Sequence, residues 1–230
     1  MASATDPPRI ALLAGATGLI GRALLPMLEH DARYERVHVL VRRPLGDRSS
    51  SAKPGPKTQV HVVDFAKLPA AFPRVDDAYI ALGTTIKVAG SEAAFRQVDF
   101  DFVLNTARAA KAAGARRLAV VSALGADAGS RVFYNRVKGD MQAALVQIGV
   151  ESLSIPQPSL LVGDRAALGQ PVRVGEVWFT RLLSPVMRLV PAGVRPIRAE
   201  TVAHALLAAN LAGRPGVCML SSAAMQRGGD

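Results

Sequence analysis

Arg9-Ile10-Ala11-Leu12-Leu13-Ala14 runs straight into Gly15-Ala16-Thr17-Gly18-Leu19-Ile20-Gly21. A short apolar run, a glycine turn and then apolar residues at helical spacing predict a buried strand, a tight turn and a helix over Leu19–His30. Gly15 permits the sharp exit from the strand, Gly18 leaves room for backbone to approach a ligand, and Gly21 lets the helix lie against the strand. The free amides and the dipole at the helix start favour an anion such as a pyrophosphate. Three glycines alone are weak evidence, and the strand before and helix after them give them their meaning.

Strands and helices alternate along the rest of the chain. Tyr34–Val41 predicts a second strand, residues 59–63 a third and 78–82 a fourth, with the Pro, Gly, Ser and Lys-rich stretch 44–58 as a surface loop. Ser91 is placed to cap a helix running to about residue 113, closed by Gly114. Residues 117–122 predict a fifth strand, 131–148 a helix closed by Gly149, and 152–155 a sixth strand. Residues 1–8 read as a loose tail. Crossovers of this kind give an α/β fold, an open doubly wound parallel sheet. The expected organisation is one domain over 1–230: a dinucleotide-binding core at 9–155, an insert at 156–199, and a return helix and last strand at 200–220. The insert is rich in proline and holds Trp178 and Phe179, so it is not expected to be regular sheet. It follows the sixth strand, on the side where such sheets bind ligands, and is expected to cover a substrate.

Half of the 230 residues are apolar, enough for a sizeable core. Cys218 is the single cysteine, which excludes an internal disulfide, and with no secretory signal a reducing, cytoplasmic setting is expected. The apolar run 10–20 is too short to span a bilayer and is broken by glycines, so no membrane partner is expected. The formal charge of +10 comes mostly from arginines spread along the chain, without the basic–aromatic clustering of nucleic-acid binders. A basic surface that draws in small anions is the reading, with a small-molecule substrate, no nucleic acid, and a monomer or homodimer.

The end of the second strand bears on the cofactor. Val41-Arg42-Arg43 has no acid until Asp47, and two guanidinium groups suit the 2′-phosphate of NADP(H) in preference to the bare ribose of NAD(H). The plainer alternative is a solvated pair in an arginine-rich chain. Asp64-Phe65 ends the third strand where a carboxylate can meet an adenine amino group, and Gly83 after the fourth lets the chain pass close to a cofactor. In Tyr134-Asn135-Arg136-Val137-Lys138 the phenol and ammonium are four apart and share a helix face. A neighbouring cation lowers a phenol pKa and makes it a proton donor or acceptor near neutrality. Ser122 ends the fifth strand nearby. His30, His38, His61 and His204 show no metal spacing with one another or with Cys218, and no metal is expected.

In the glycine motif, Tyr134 with Lys138 and Ser122, the chain resembles the short-chain dehydrogenase/reductase superfamily, a Rossmann fold, in its extended or atypical, epimerase-like branch. Its middle is similar to the Tat-interacting-protein subgroup through Val62-Val63-Asp64-Phe65, Leu82-Gly83-Thr84-Thr85, Val98-Asp99, Ser122 with Gly125-Ala126-Asp127, Tyr134 with Val137-Lys138-Gly139, Pro158 and Asp164-Arg165. The resemblance covers residues 9 to about 210. It implies NADP(H) binding by Gly15 to Gly21 (with Ala16, Thr17, Leu19 and Ile20 between the glycines), Arg42, Arg43, Asp64, Phe65, Leu82, Gly83, Thr84 and Lys138. It further implies oxidoreductase chemistry on a small carbonyl or alcohol, with Tyr134 passing the proton, Lys138 holding the nicotinamide ribose and Ser122 orienting the carbonyl. Two departures stand out. Many relatives carry a second serine where this chain has Ala123, which leaves Ser122, Thr84 and Thr85 as alternative hydroxyls. Where relatives often have Arg-Pro-Gly it has Gln157-Pro158-Ser159. A non-catalytic NADP(H)-sensing regulatory protein is the alternative to an enzyme, and retention of Tyr134 favours the enzyme.

Overall fold

The structure is a computed structural model that describes residues 7–45, 54–69, 72–162, 191 and 193–228. The opening strand, turn and helix form as read: β1 is Arg9–Ala14 and α1 is Leu19–His30. They are followed by β2 (Tyr34–Val41), β3 (Thr58–Val62), β4 (Asp77–Ile80) and the short α2 (Ile86–Ala89). Next come α3 (Glu92–Arg96), one wide π turn (Gln97–Asp101), α4 (Phe102–Ala112), β5 (Arg117–Val120), α5 (Phe133–Val146) and β6 (Ser152–Gln157). The described chain closes with β7 (Leu161–Val162), β8 (Ile197–Arg198), α6 (Ala199–Ala212), β9 (Gly216–Ser221) and α7 (Ser222–Arg227).

Seven strands make one parallel sheet in the order β3-β2-β1-β4-β5-β6-β9. Alternate residues of β1 feed opposite faces. Ala11 and Leu13 pack with Leu24, Leu25 and Leu28 of α1 and with Val202 and Leu206 of α6. Leu12 and Ala14 pack with Val103, Leu104 and Ala107 of α4 and with Met141 and Leu145 of α5. Coverage on both faces explains why the strand reads as an unbroken apolar run rather than an alternation. The strand order reverses between β1 and β4, so a crevice opens outside their carboxyl ends, where such sheets take ligands.

Several elements differ from expectation, each for a local reason. The helix capped by Ser91, which accepts the Ala94 N–H at 3.1 Å, is interrupted by the π turn before α4. β6 continues through Pro156, which pairs with Leu220 of β9. The β5–β6 ladder ends at Ala119 and Ser154, so the donor the proline lacks falls beyond it. β7 and β8 pair within the segment expected to be irregular, while 163–190 and 192, most of the expected insert with Trp178, Phe179 and Asp164-Arg165, lie outside the described residues. So do 1–6 and 46–53. No described helix is long and apolar enough to cross a membrane.

His38 is buried in β2, and its Nδ1 lies 2.9 Å from Nε2 of His61 on β3. Burial and the neighbouring His61 push His38 down from 6.5 to about 4. The folded protein therefore holds this imidazole neutral, and the stability it contributes is present above pH 6.5 and lost as pH falls toward 4. Urea unfolding is expected to show a falling midpoint across that window, and His38→Leu a flatter profile. An unchanged slope in the variant would assign the acid sensitivity elsewhere.

Candidate functional site

Gly15 leaves β1 with φ +95°, and a Cβ built on it would stand 2.5 Å from the Ala81 carbonyl oxygen. A Cβ on Gly21 would stand 2.1 Å from the Gly15 carbonyl oxygen, so both positions need glycine for the turn and helix to close on the strand. Gly18 is different: its Cβ would be 3.4 Å from the Gly15 oxygen and 4.0 Å from the Ala81 oxygen, ordinary contact distances. Gly18 is the N-cap of α1, no side chain caps the helix and no acid lies in its first turn. The amino end of α1 is thus bare backbone with its dipole uncompensated, which fits the pyrophosphate of a dinucleotide. Ala16 and Ile20 are buried while Thr17 is exposed at the rim beside half-buried Leu19.

The segment after β4 joins this turn to the second constellation. Its start, Ala81 and Leu82, packs on Gly15, and a Cβ on Gly83 would be 3.4 Å from Oδ1 of Asp99 and 4.0 Å from Nζ of Lys138. Lys138 and Asp99 form a buried ion pair at 2.7 Å, with side chains 4% and 1% exposed. The other carboxylate oxygen of Asp99 accepts the Thr84 N–H at 2.9 Å. Tyr134 lies one turn before Lys138 on α5, its ring 5.3 Å from that of Phe95. The spacing that suggested a shared face therefore holds. The expectation of a lowered phenol pKa does not: burial pushes Tyr134 up, Lys138 pulls it down, and Asp99 pushes it up again, for a net rise.

Ser122 is buried, and its Oγ accepts a hydrogen bond from Nε2 of Gln142 at 2.6 Å. The hydroxyl proton of Ser122 is thereby left to donate elsewhere. Gln157 reaches the same amide from β6, its Nε2 3.4 Å from Oε1 of Gln142. Thr85 is occupied otherwise, capping α2 by accepting the Val88 N–H at 3.2 Å. Ala123 is buried and offers no hydroxyl.

The β2 and β3 ends are more open. Arg42 and Arg43 are exposed at the end of β2, with no ion-pair partner among the described residues. Asp64 is exposed, one carboxylate oxygen accepting the Ala66 N–H at 2.8 Å. Phe65 is buried, its ring stacked on Phe102 at 5.9 Å, so it packs the core, and its carbonyl accepts a hydrogen bond from Nδ2 of Asn105 at 3.1 Å. Asp99 and Gln142 were the functional candidates that sequence reasoning gave no role. Gln142 carried a signal, four residues beyond Lys138 on the same helix face. The acid of Asp99, set among Phe95, Val98 and Phe102, was a signal too.

Among the described residues no three His, Cys, Asp or Glu side chains cluster as a metal site.

Comparison with known proteins completes the picture. The profile of the NAD(P)H-binding family matches residues 15–148. The mitochondrial protein FMP52 of Lodderomyces elongisporus is 31% identical over 190 residues, 76% of this chain and 80% of that protein. HTATIP2 of Rattus norvegicus is 34% identical over 170 residues, 73% of this chain and 66% of that one, in keeping with the Tat-interacting-protein resemblance. The crystal structure of Bordetella bronchiseptica WbmG in complex with NAD matches with a TM-score of 0.66 at 15% identity, over 96% of this chain and 74% of that one, and shares its fold. One expectation is overturned. The cytoplasmic location is corrected by the fungal relatives, several of which are named mitochondrial proteins. A single cysteine excludes an internal disulfide, and no described helix is long and apolar enough to cross a membrane; neither distinguishes one reducing compartment from another.

Proposed function

The chain belongs to the NAD(P)H-binding family, and on that premise we propose that it is an NADP(H)-dependent oxidoreductase acting on a small carbonyl or alcohol. The observation that carries this reading is the continuity of the site: the 81–84 segment touches Gly15 at one end and the Lys138–Asp99 pair at the other. The bound dinucleotide supplies or accepts the hydride.

The residues of the chain supply the rest. Backbone amides at Gly18 to Ile20 hold the pyrophosphate, Asp64 faces the adenine end, and Arg42 with Arg43 grip a 2′-phosphate. Lys138 gives one ammonium N–H to Asp99 and has two left for the nicotinamide ribose. Ser122, fixed as an acceptor toward Gln142, donates its proton to the substrate oxygen and orients the carbonyl. Tyr134, protonated at neutral pH because burial raises its pKa, delivers the phenolic proton to that oxygen as reduction proceeds.

Two measurements test the reading. NADPH oxidation followed against a panel of small aldehydes and ketones is expected to reveal turnover, and none with any substrate class would leave a binding protein only. Replacing both arginines, Arg42→Ala with Arg43→Ala, is expected to weaken NADP(H) roughly tenfold and to leave NAD(H) unchanged, since exposed charge-assisted contacts are worth about 1.5 kcal/mol. Equal loss for both dinucleotides would remove the arginines from cofactor selection.

A further inference from the structure

Asp99 sits on the single π turn of the α3–α4 helix, where the extra residue in the turn breaks the regular helical register. Its two carboxylate oxygens are both committed: one to Nζ of Lys138 at 2.7 Å, the other to the N–H of Thr84 at 2.9 Å. Both charged side chains of the pair are almost completely removed from water. The ammonium that would favour a phenolate at Tyr134 is therefore paired at contact distance with a carboxylate, in a setting where screening by solvent is weak.

We propose that Asp99 is a positioning residue that offsets the charge of Lys138 toward Tyr134 while pinning the 83–84 backbone, so that Tyr134 works as a neutral phenol and turnover extends to alkaline pH before the donor is lost. This rests on the oxidoreductase reading above. The titratable groups that act on Tyr134 are Lys138 from its own helix and Asp99 from the π turn. The segment after β4 brings backbone at Gly83 and Thr84, and the neighbouring Arg96 and Asp140 pair with each other at 3.1 Å. Burial and Asp99 outweigh Lys138 in the direction of the Tyr134 shift, which agrees with the geometry.

The chain makes the test clean because it holds three tyrosines. Tyr34 and Tyr79 are buried against each other and Asp77, both held well above the ordinary phenol range. Ultraviolet difference absorption during a pH titration of the cofactor-free protein therefore reads Tyr134 first, with Tyr134→Phe as the blank. Asp99→Asn keeps an acceptor for the Thr84 N–H and removes the charge. Its phenolate transition is expected about one to two pH units below that of the wild type, and the alkaline limb of turnover is expected to move with it. Asp99→Asn strands a buried ammonium and can fail to fold. The double variant Asp99→Asn with Lys138→Met removes the pair together, and its Tyr134 transition is expected to stay at the wild-type position.

A transition in Asp99→Asn that coincides with the wild type, or one in the double variant displaced as far as in the single variant, would overturn the proposal. A displaced transition in a protein that reduces no carbonyl would uphold the role of Asp99 and sink the oxidoreductase reading. Turnover with an undisplaced transition would do the reverse.

Discussion

Tyr134→Phe is expected to keep dinucleotide affinity and to lose about 10² to 10⁴-fold in turnover. The ring stays available to pack on Phe95, 5.3 Å away, so the variant removes a proton rather than a wall of the site. Lys138 remains held by Asp99 at 2.7 Å, so the substitution leaves the proposed ribose contact untouched. Steady-state rates at saturating NADPH, beside an equilibrium affinity, separate the two effects. Unchanged turnover would remove Tyr134 as the proton donor and leave Ser122 or Thr84 to be tried in its place.

The second large effect is a contrast between two glycines of the same turn. Gly21→Ala drives a methyl to 2.1 Å from the Gly15 carbonyl, a backbone atom that cannot step aside without lifting α1 from β1. The expected loss is about 3 kcal/mol or more, roughly 6–12 °C in melting temperature, with binding lost as a consequence. Gly18→Ala meets its nearest atom at 3.4 Å and its backbone has an ordinary extended φ. It is expected to cost less than about 1 kcal/mol in stability while weakening the dinucleotide at least tenfold, because the methyl stands where the pyrophosphate approaches. Thermal unfolding with and without NADPH reads both. Equal destabilisation by the two substitutions would mean that the turn serves packing alone.

The parts of the fold that the sequence made legible are those in which one local rule dominates. β1, α1 and β2 appear at the bounds read from apolar periodicity and the glycine turn, because a strand buried on both faces and a helix with one apolar face leave little ambiguity. Ser91 and Gly114 also mark real ends, the second with φ +104°. The misses are tertiary. Pro156 reads as a breaker, yet stays in β6 because β9 supplies a partner on the side where the proline is not asked to donate. The short α7 follows β9 because Ser221 accepts the Ala224 N–H and Met225 finds core to fill, a docking no local pattern announces.

The site divides in the same way. Tyr134, Lys138 and Gln142 share a helix face, so spacing alone brings them together. Asp99 is 39 residues before Lys138 in another helix, and its pairing with Lys138 depends on a π turn that sequence periodicity does not reveal. Burial of the ring inverts the expected sign at Tyr134, and Asp99 offsets part of the pull of Lys138. A cation four residues away lowers a phenol pKa only where desolvation does not outweigh it, and here burial of the ring wins, with Asp99 adding to the rise.

The central claim is that the turn from Gly15 to Gly21 and the arginines at the end of β2 hold NADP(H). Thermal unfolding with saturating NADPH beside matched NADH tests it most directly. At about a hundred times its dissociation constant a ligand adds roughly 2.7 kcal/mol, which for a chain of this size is about 5–10 °C. The account predicts that shift with NADPH and a smaller one with NADH. An equal shift with both would remove Arg42 and Arg43 from the choice of cofactor, and no shift with either would contradict the account.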